Sequence, residues 1–167
     1  NWKFIGTWTD TDHAGCMETR KSTSGGTIML GNHSSKHWAH TQSIISLSSG
    51  EAEYYALVKS AGVATGVESM LGDLGLKYED TITVKSDASA TIGIANRVGV
   101  GKVRHIEVNQ LWIQEKVRDG KIQLVKVEGT ENLADALTKY VDSDMLEKHI
   151  KGSECEVVGG RHELMPE

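Results

Sequence analysis

The hydrophobic period of this chain changes at residue 50, and that change limits its fold more than any other feature. Upstream, three short β-rich segments occupy residues 4–11 (FIGTWTDT), 26–30 (GTIML) and 41–47 (TQSIISL). Gly, Asn and Ser turns separate them, as in an antiparallel meander. Downstream, apolar residues recur at helical spacing and predict one long helix over 50–74, with Ala56, Leu57, Ser60, Ala61, Ala64, Val67 and Leu71 on one stripe. The stripe is made largely of small residues, which suits close packing on a sheet.

Strand and helix signals then alternate. A strand is expected at 81–86 (TITVKS), a short helix at 88–96, a helix at 107–119 stopped by Gly120, and a strand at 121–127 (KIQLVKV). Helices at 131–140 and 143–150 close the order. Strands first and alternation afterwards indicate an α/β chain with a mixed sheet and helices packed on it. Residues 1–150 read as a single domain and the Gly- and charge-rich residues 151–167 as a mobile tail.

At 167 residues and 38% hydrophobic, the chain is long enough to bury a real core. No run of 18 apolar residues marks a membrane span, and no signal peptide opens the sequence. Cys16 and Cys155 are too few and too far apart for a disulfide framework, so an intracellular, cytoplasmic setting is expected. A start at Asn1 suggests a piece of a longer product. The net charge of -5 argues against a strong electrostatic hold on nucleic acid. Residues 97–126 nevertheless carry 7 basic and 3 acidic groups, either a phosphate-facing surface or a solvated helix face.

The acids are the groups that most need explaining. In the first strand Phe4, Gly6, Trp8, Asp10 and Asp12 share one side, so carboxylates stand where the strand's own pattern points to core. Ser48 and Glu51 have the capping-box spacing, which gives Glu51 a structural use. Glu53 instead opens the apolar stripe of the long helix, where a carboxylate is costly unless it is paired or binds a cation. Asp87 ends a strand and precedes a helix, as either an N-cap or a site residue. Asp135 (TENLADALTKY) reads alone as an ordinary exposed helix acid. As a set these are oxygen-only ligands suited to Mg²⁺ or Mn²⁺. Two such ions about 4 Å apart would clamp the attacking and leaving oxygens of a phosphodiester.

The segments TDTDHAG, RKSTSG, LSSGEAEYYAL, SDASA, RHIEV and ENLADALTK occur in an order and spacing that closely resemble the ribonuclease H domain of copia-type retrotransposon polyproteins. The resemblance covers residues 4–140. It implies a ribonuclease H-like fold with sheet order 3-2-1-4-5, and metal-dependent endonucleolytic cleavage of the RNA strand of RNA–DNA hybrids, leaving 3′-hydroxyl and 5′-phosphate ends. It also implies a role in reverse transcription beside a fused or separate reverse transcriptase. The family's catalytic and metal-binding carboxylates fall on Asp10, Glu53, Asp87 and Asp135, with Asp10 bridging two ions and Asp12 left in the turn. Candidate substrate contacts are Ser22, Ser48, Ser49, Ser89, Arg104 and His105.

The chain departs from the family where His13 replaces a Trp and Ala88 an Asn. The loop before Asp135 (VEGTEN) also lacks the His that cellular ribonucleases H carry there. A hybrid-binding module without catalysis, and another nuclease or integrase on the same fold, remain as alternatives. His33, His37 and His40 have a spacing that would converge on a metal only in a helix, and the segment leads into an expected strand.

Overall fold

A computed structural model describes residues 4–76, 78, 80–99, 106, 110–157 and 159. Strands β1 (Ile5–Asp12), β2 (Thr23–Leu30) and β3 (His33–Thr41) precede helix α1 (Ser49–Asp73). Strand β4 (Ile82–Ser86), helices α2 (Ser89–Ala95) and α3 (Trp112–Arg118) and strand β5 (Ile122–Lys126) come next. Two 3-10 turns, Gly129–Glu131 and Asp135–Leu137, and helix α4 (Ser143–Gly152) complete the described order.

The strands form one sheet in the order β3-β2-β1-β4-β5, the order that the resemblance implies. β1 pairs antiparallel with β2 and parallel with β4, and β5 adds parallel to β4. A parallel neighbour requires a long crossover, and α1 lies in that connection. The parallel pairing leaves the C-terminal ends of β1 and β4 at one edge, where open α/β sheets tend to place their sites.

α1 starts where its capping box predicts. The Ser48 side chain accepts a hydrogen bond from the Glu51 amide at 3.1 Å, and the Glu51 carboxylate accepts one from the Leu47 amide at 2.8 Å. Tyr54, Leu57, Ala61 and Ala64 of α1 pack with Ile5, Ile28, Ile82, Val84 and Ile122 of the sheet in one buried cluster. β1 therefore meets this core through Ile5, not through the face of Trp8 and Asp10. On that other face the Lys85 ammonium lies 4.0 Å from the Trp8 ring centre. The sequence pattern had assigned the core to the wrong face of β1, and Asp10 does not interrupt the main cluster.

Two expected elements differ. The third strand is HSSKHWAHT, not TQSIISL, because it is an edge strand fixed by backbone pairing to β2 while most of its side chains are exposed. Ile45 and Leu47 of TQSIISL are 54% and 66% exposed, in a loop. Residues 131–140 form no continuous helix. Asn132 turns inward, donating to the Thr9 carbonyl at 3.0 Å and accepting from the Ala134 amide at 3.2 Å, and the segment follows β1 as 3-10 turns. α4 runs through Gly152, and Ser153 beyond it is buried. Among the described residues, no helix is long and apolar enough to cross a membrane.

Candidate active site

Three of the four expected carboxylates converge at the edge where β1 and β4 end. Asp10 comes from β1, Asp87 follows the last residue of β4, and Glu53 reaches in from the second turn of α1. One oxygen from each lies within 4.8 Å of the other two. Asp12 takes a different part. Its carboxylate accepts the Thr23 amide and closes the hairpin between β1 and β2.

Burial sets the electrostatics. Asp10 is fully buried, and desolvation raises its pKa; Thr138 and Lys139 act in the lowering direction, while the charges of Asp135 and Asp87 raise it further. Desolvation, followed by the charges of Asp10 and Asp87, pushes Glu53 from 4.5 up to about 8. Glu53 Oε2 is buried and has no hydrogen-bond partner among the described residues. An acceptor-only oxygen left bare beside two more acids is costly unless a proton or a cation meets it. Three carboxylates in this state fit a hard divalent ion, which binds oxygen and cancels their repulsion.

Asp135 approaches from the second 3-10 turn and is not among these three. Its Oδ1 accepts a hydrogen bond from the Lys139 ammonium at 2.6 Å, and that ammonium lies 3.4 Å from each oxygen of Asp10. The Thr138 hydroxyl donates to Asp10 Oδ2. Gly25 makes this approach possible. It pairs with Asp10 across the β1–β2 ladder, and a Cβ there would stand 2.7 Å from Thr138 Cγ2 and 3.0 Å from Leu137 Cβ. A side chain at this position would push Leu137 and Thr138 away from β2.

The expected substrate contacts scatter. Ser22 is buried and accepts a hydrogen bond from the Ala14 amide at 3.0 Å, inside the hairpin loop. Ser48 caps α1, and Ser49 and Ser89 are the exposed first residues of α1 and α2. Arg104 and His105 lie outside the described residues. His37 bonds to the Thr27 and Ser34 hydroxyls, and His33, His37 and His40 lie along edge strand β3, not on a helix.

Sequence reasoning missed Thr138, Lys139 and His149. The first two stand in the ENLADALTK segment, where only the Asp was read. His149, on α4, is buried, and among the described residues its Nε2 has no partner; desolvation lowers its pKa, opposed by the charge of Asp135. No sequence signal singles it out.

No family model matches the chain. The Retrovirus-related Pol polyprotein from transposon TNT 1-94 of Nicotiana tabacum is 30% identical over 140 residues, covering 84% of this chain and 10% of that protein. The chain thus spans about a tenth of the length of this curated relative. Among solved structures, LC11-RNase H1 from compost superposes with a TM-score of 0.56 at 18% identity, over 89% of this chain and 99% of that one. The same protein in complex with an RNA/DNA hybrid gives a TM-score of 0.54 at 19% identity, over 80% and 92%. In sequence the chain is similar to a segment of retrovirus-related Pol polyproteins from plant transposons, and its fold is ribonuclease H-like.

Proposed function

We propose that this domain is a divalent-metal-dependent endonuclease that cleaves the RNA strand of RNA–DNA hybrids. The observation that carries the reading is the convergence of Asp10, Glu53 and Asp87 at the β1–β4 edge, with a buried Glu53 oxygen that no described residue hydrogen-bonds. Asp10, Glu53 and Asp87 would hold Mg²⁺ or Mn²⁺, with Asp135 completing the set. Metal bound there, as two ions, would supply an activated water and charge stabilisation at the attacking and leaving oxygens.

The protein's own part is positional. Asp10 is held rigid by burial and by the Thr138 hydroxyl. Glu53 gives up its proton to serve as a ligand. Asn132 ties the turn carrying Asp135 to β1. Ser48 is occupied in capping α1, whereas the exposed side chains of Ser49 and Ser89 would leave their hydroxyls open to phosphate oxygens. The net acidic chain would hold hybrid weakly by itself, which suits a domain acting with a reverse transcriptase during retroelement replication.

Incubating labelled hybrid with Mg²⁺ tests the proposal. Wild type should cut the RNA strand, leave duplex DNA intact, and lose at least about a hundredfold in rate on Asp10→Asn. Equal hybrid binding by both proteins with no turnover would instead mark a binding module, and cleavage of duplex DNA a different nuclease.

A further inference from the structure

The site already contains one cation of its own. Lys139 follows Asp135 by four residues, and its ammonium lies between Asp135 at 2.6 Å and the buried Asp10 at 3.4 Å. Burial alone would lower its pKa, but the hydrogen bond to Asp135 and the charge of Asp10 prevail and raise it, so the group stays charged. Its side chain is 46% exposed while the Asp10 carboxylate is 1% exposed. The acid is fixed, and the lysine is anchored to it by a flexible stem that reaches open solvent.

We propose that Lys139 is the resident counter-ion of the metal-free site and that divalent-metal binding expels its ammonium from between Asp10 and Asp135. The inference rests on the reading that these carboxylates hold a divalent cation. Mg²⁺ takes oxygens at about 2.0–2.1 Å. An ammonium kept beside the same oxygens would then stand within a few ångströms of a doubly charged ion, in a poorly screened environment. Lysine is suited to such exchange because its charge is compact and its four-carbon stem rotates freely. While it is in place, one positive charge offsets the repulsion that Asp10 and Asp135 exert on each other. The same charge competes with metal, and the two effects are linked reciprocally. A neutral side chain at 139 should leave the metal-free protein less stable and the metal more tightly bound.

Calorimetric titration of the full chain with Mn²⁺, without nucleic acid, reads this directly. Lys139→Met should bind Mn²⁺ about tenfold more tightly than wild type and unfold at a lower temperature in EDTA, with the gap shrinking as Mn²⁺ is added. Lys139→Gln, which keeps polarity and loses charge, should do the same and serves if the Met variant fails to fold. In ¹⁵N spectra of the ammonium groups, the Lys139 signal should be present in EDTA and exchange away with saturating Mg²⁺. Unchanged or weaker Mn²⁺ binding in folded variants, or a Lys139 signal that persists with Mg²⁺, overturns the exchange. If wild type shows no Mn²⁺ binding that Asp10→Asn removes, the metal-site reading falls and the exchange falls with it.

Discussion

Replacing Glu53 by Gln removes a charge that the fold opposes while keeping the shape of the side chain. Glu53 is pushed from 4.5 up to about 8, by burial first and then by Asp10 and Asp87. An acid whose pKa is raised on folding keeps a proton that the unfolded chain releases. Its stabilising share is complete below the unfolded value and is lost as pH climbs towards the folded one. Between pH 5 and pH 7 the metal-free wild type should therefore lose roughly 2–3 kcal/mol through this residue. For a chain of this size that is roughly 5–10 °C in Tm. The Gln variant has nothing to lose. Thermal unfolding in EDTA from pH 5 to pH 8 should show a falling profile for wild type, a flatter one for Glu53→Gln, and a variant more stable than wild type at pH 8. Saturating Mg²⁺ should reverse that order, because only the wild-type carboxylate gains a ligand. Parallel profiles in EDTA would mean that Glu53 ionises as freely as an exposed acid, and the site would need another account.

Two further outcomes separate neighbours. Asp12→Asn should leave Mn²⁺ affinity within about twofold of wild type, because Asp12 holds the Thr23 amide and not the acid cluster; calorimetry beside Asp10→Asn checks the assignment. Asn132→Ala should cost roughly 2–3 kcal/mol in urea unfolding, since it strips partners from the Thr9 carbonyl and the Ala134 amide. It should also slow hybrid cleavage beyond that loss of stability, because the turn bearing Asp135 is released from β1.

Periodicity exposed the elements whose burial is one-sided and local. α1 was visible with its cap because Ser48, Glu51 and the small-residue stripe are all within one segment. β4 and β5 were visible because they are short apolar runs closed by turns. β3 was hidden for the opposite reason. An edge strand is held by backbone bonds to β2, so its side chains need no pattern, and the apolar TQSIISL beside it took its place in the reading.

The candidate site divides in the same way. The acids themselves were legible: Glu53 from its position on a buried stripe, Asp10 and Asp87 from strands that end in charge, and all four together from the family resemblance. The strand pattern could not choose between Asp10 and Asp12, and the resemblance chose Asp10; in the structure Asp12 accepts the Thr23 amide while Asp10 stands with Glu53 and Asp87. Neither the contact of Lys139 and Thr138 with Asp10 nor the unmet Glu53 oxygen has a local signature, because each joins groups from distant parts of the chain. Sequence determined which residues bring charge to the sheet edge, since spacing fixes the face of a strand or helix on which a side chain stands. Tertiary structure alone decided how those charges meet, because desolvation and pairing arise only when separate elements close around the same few oxygens.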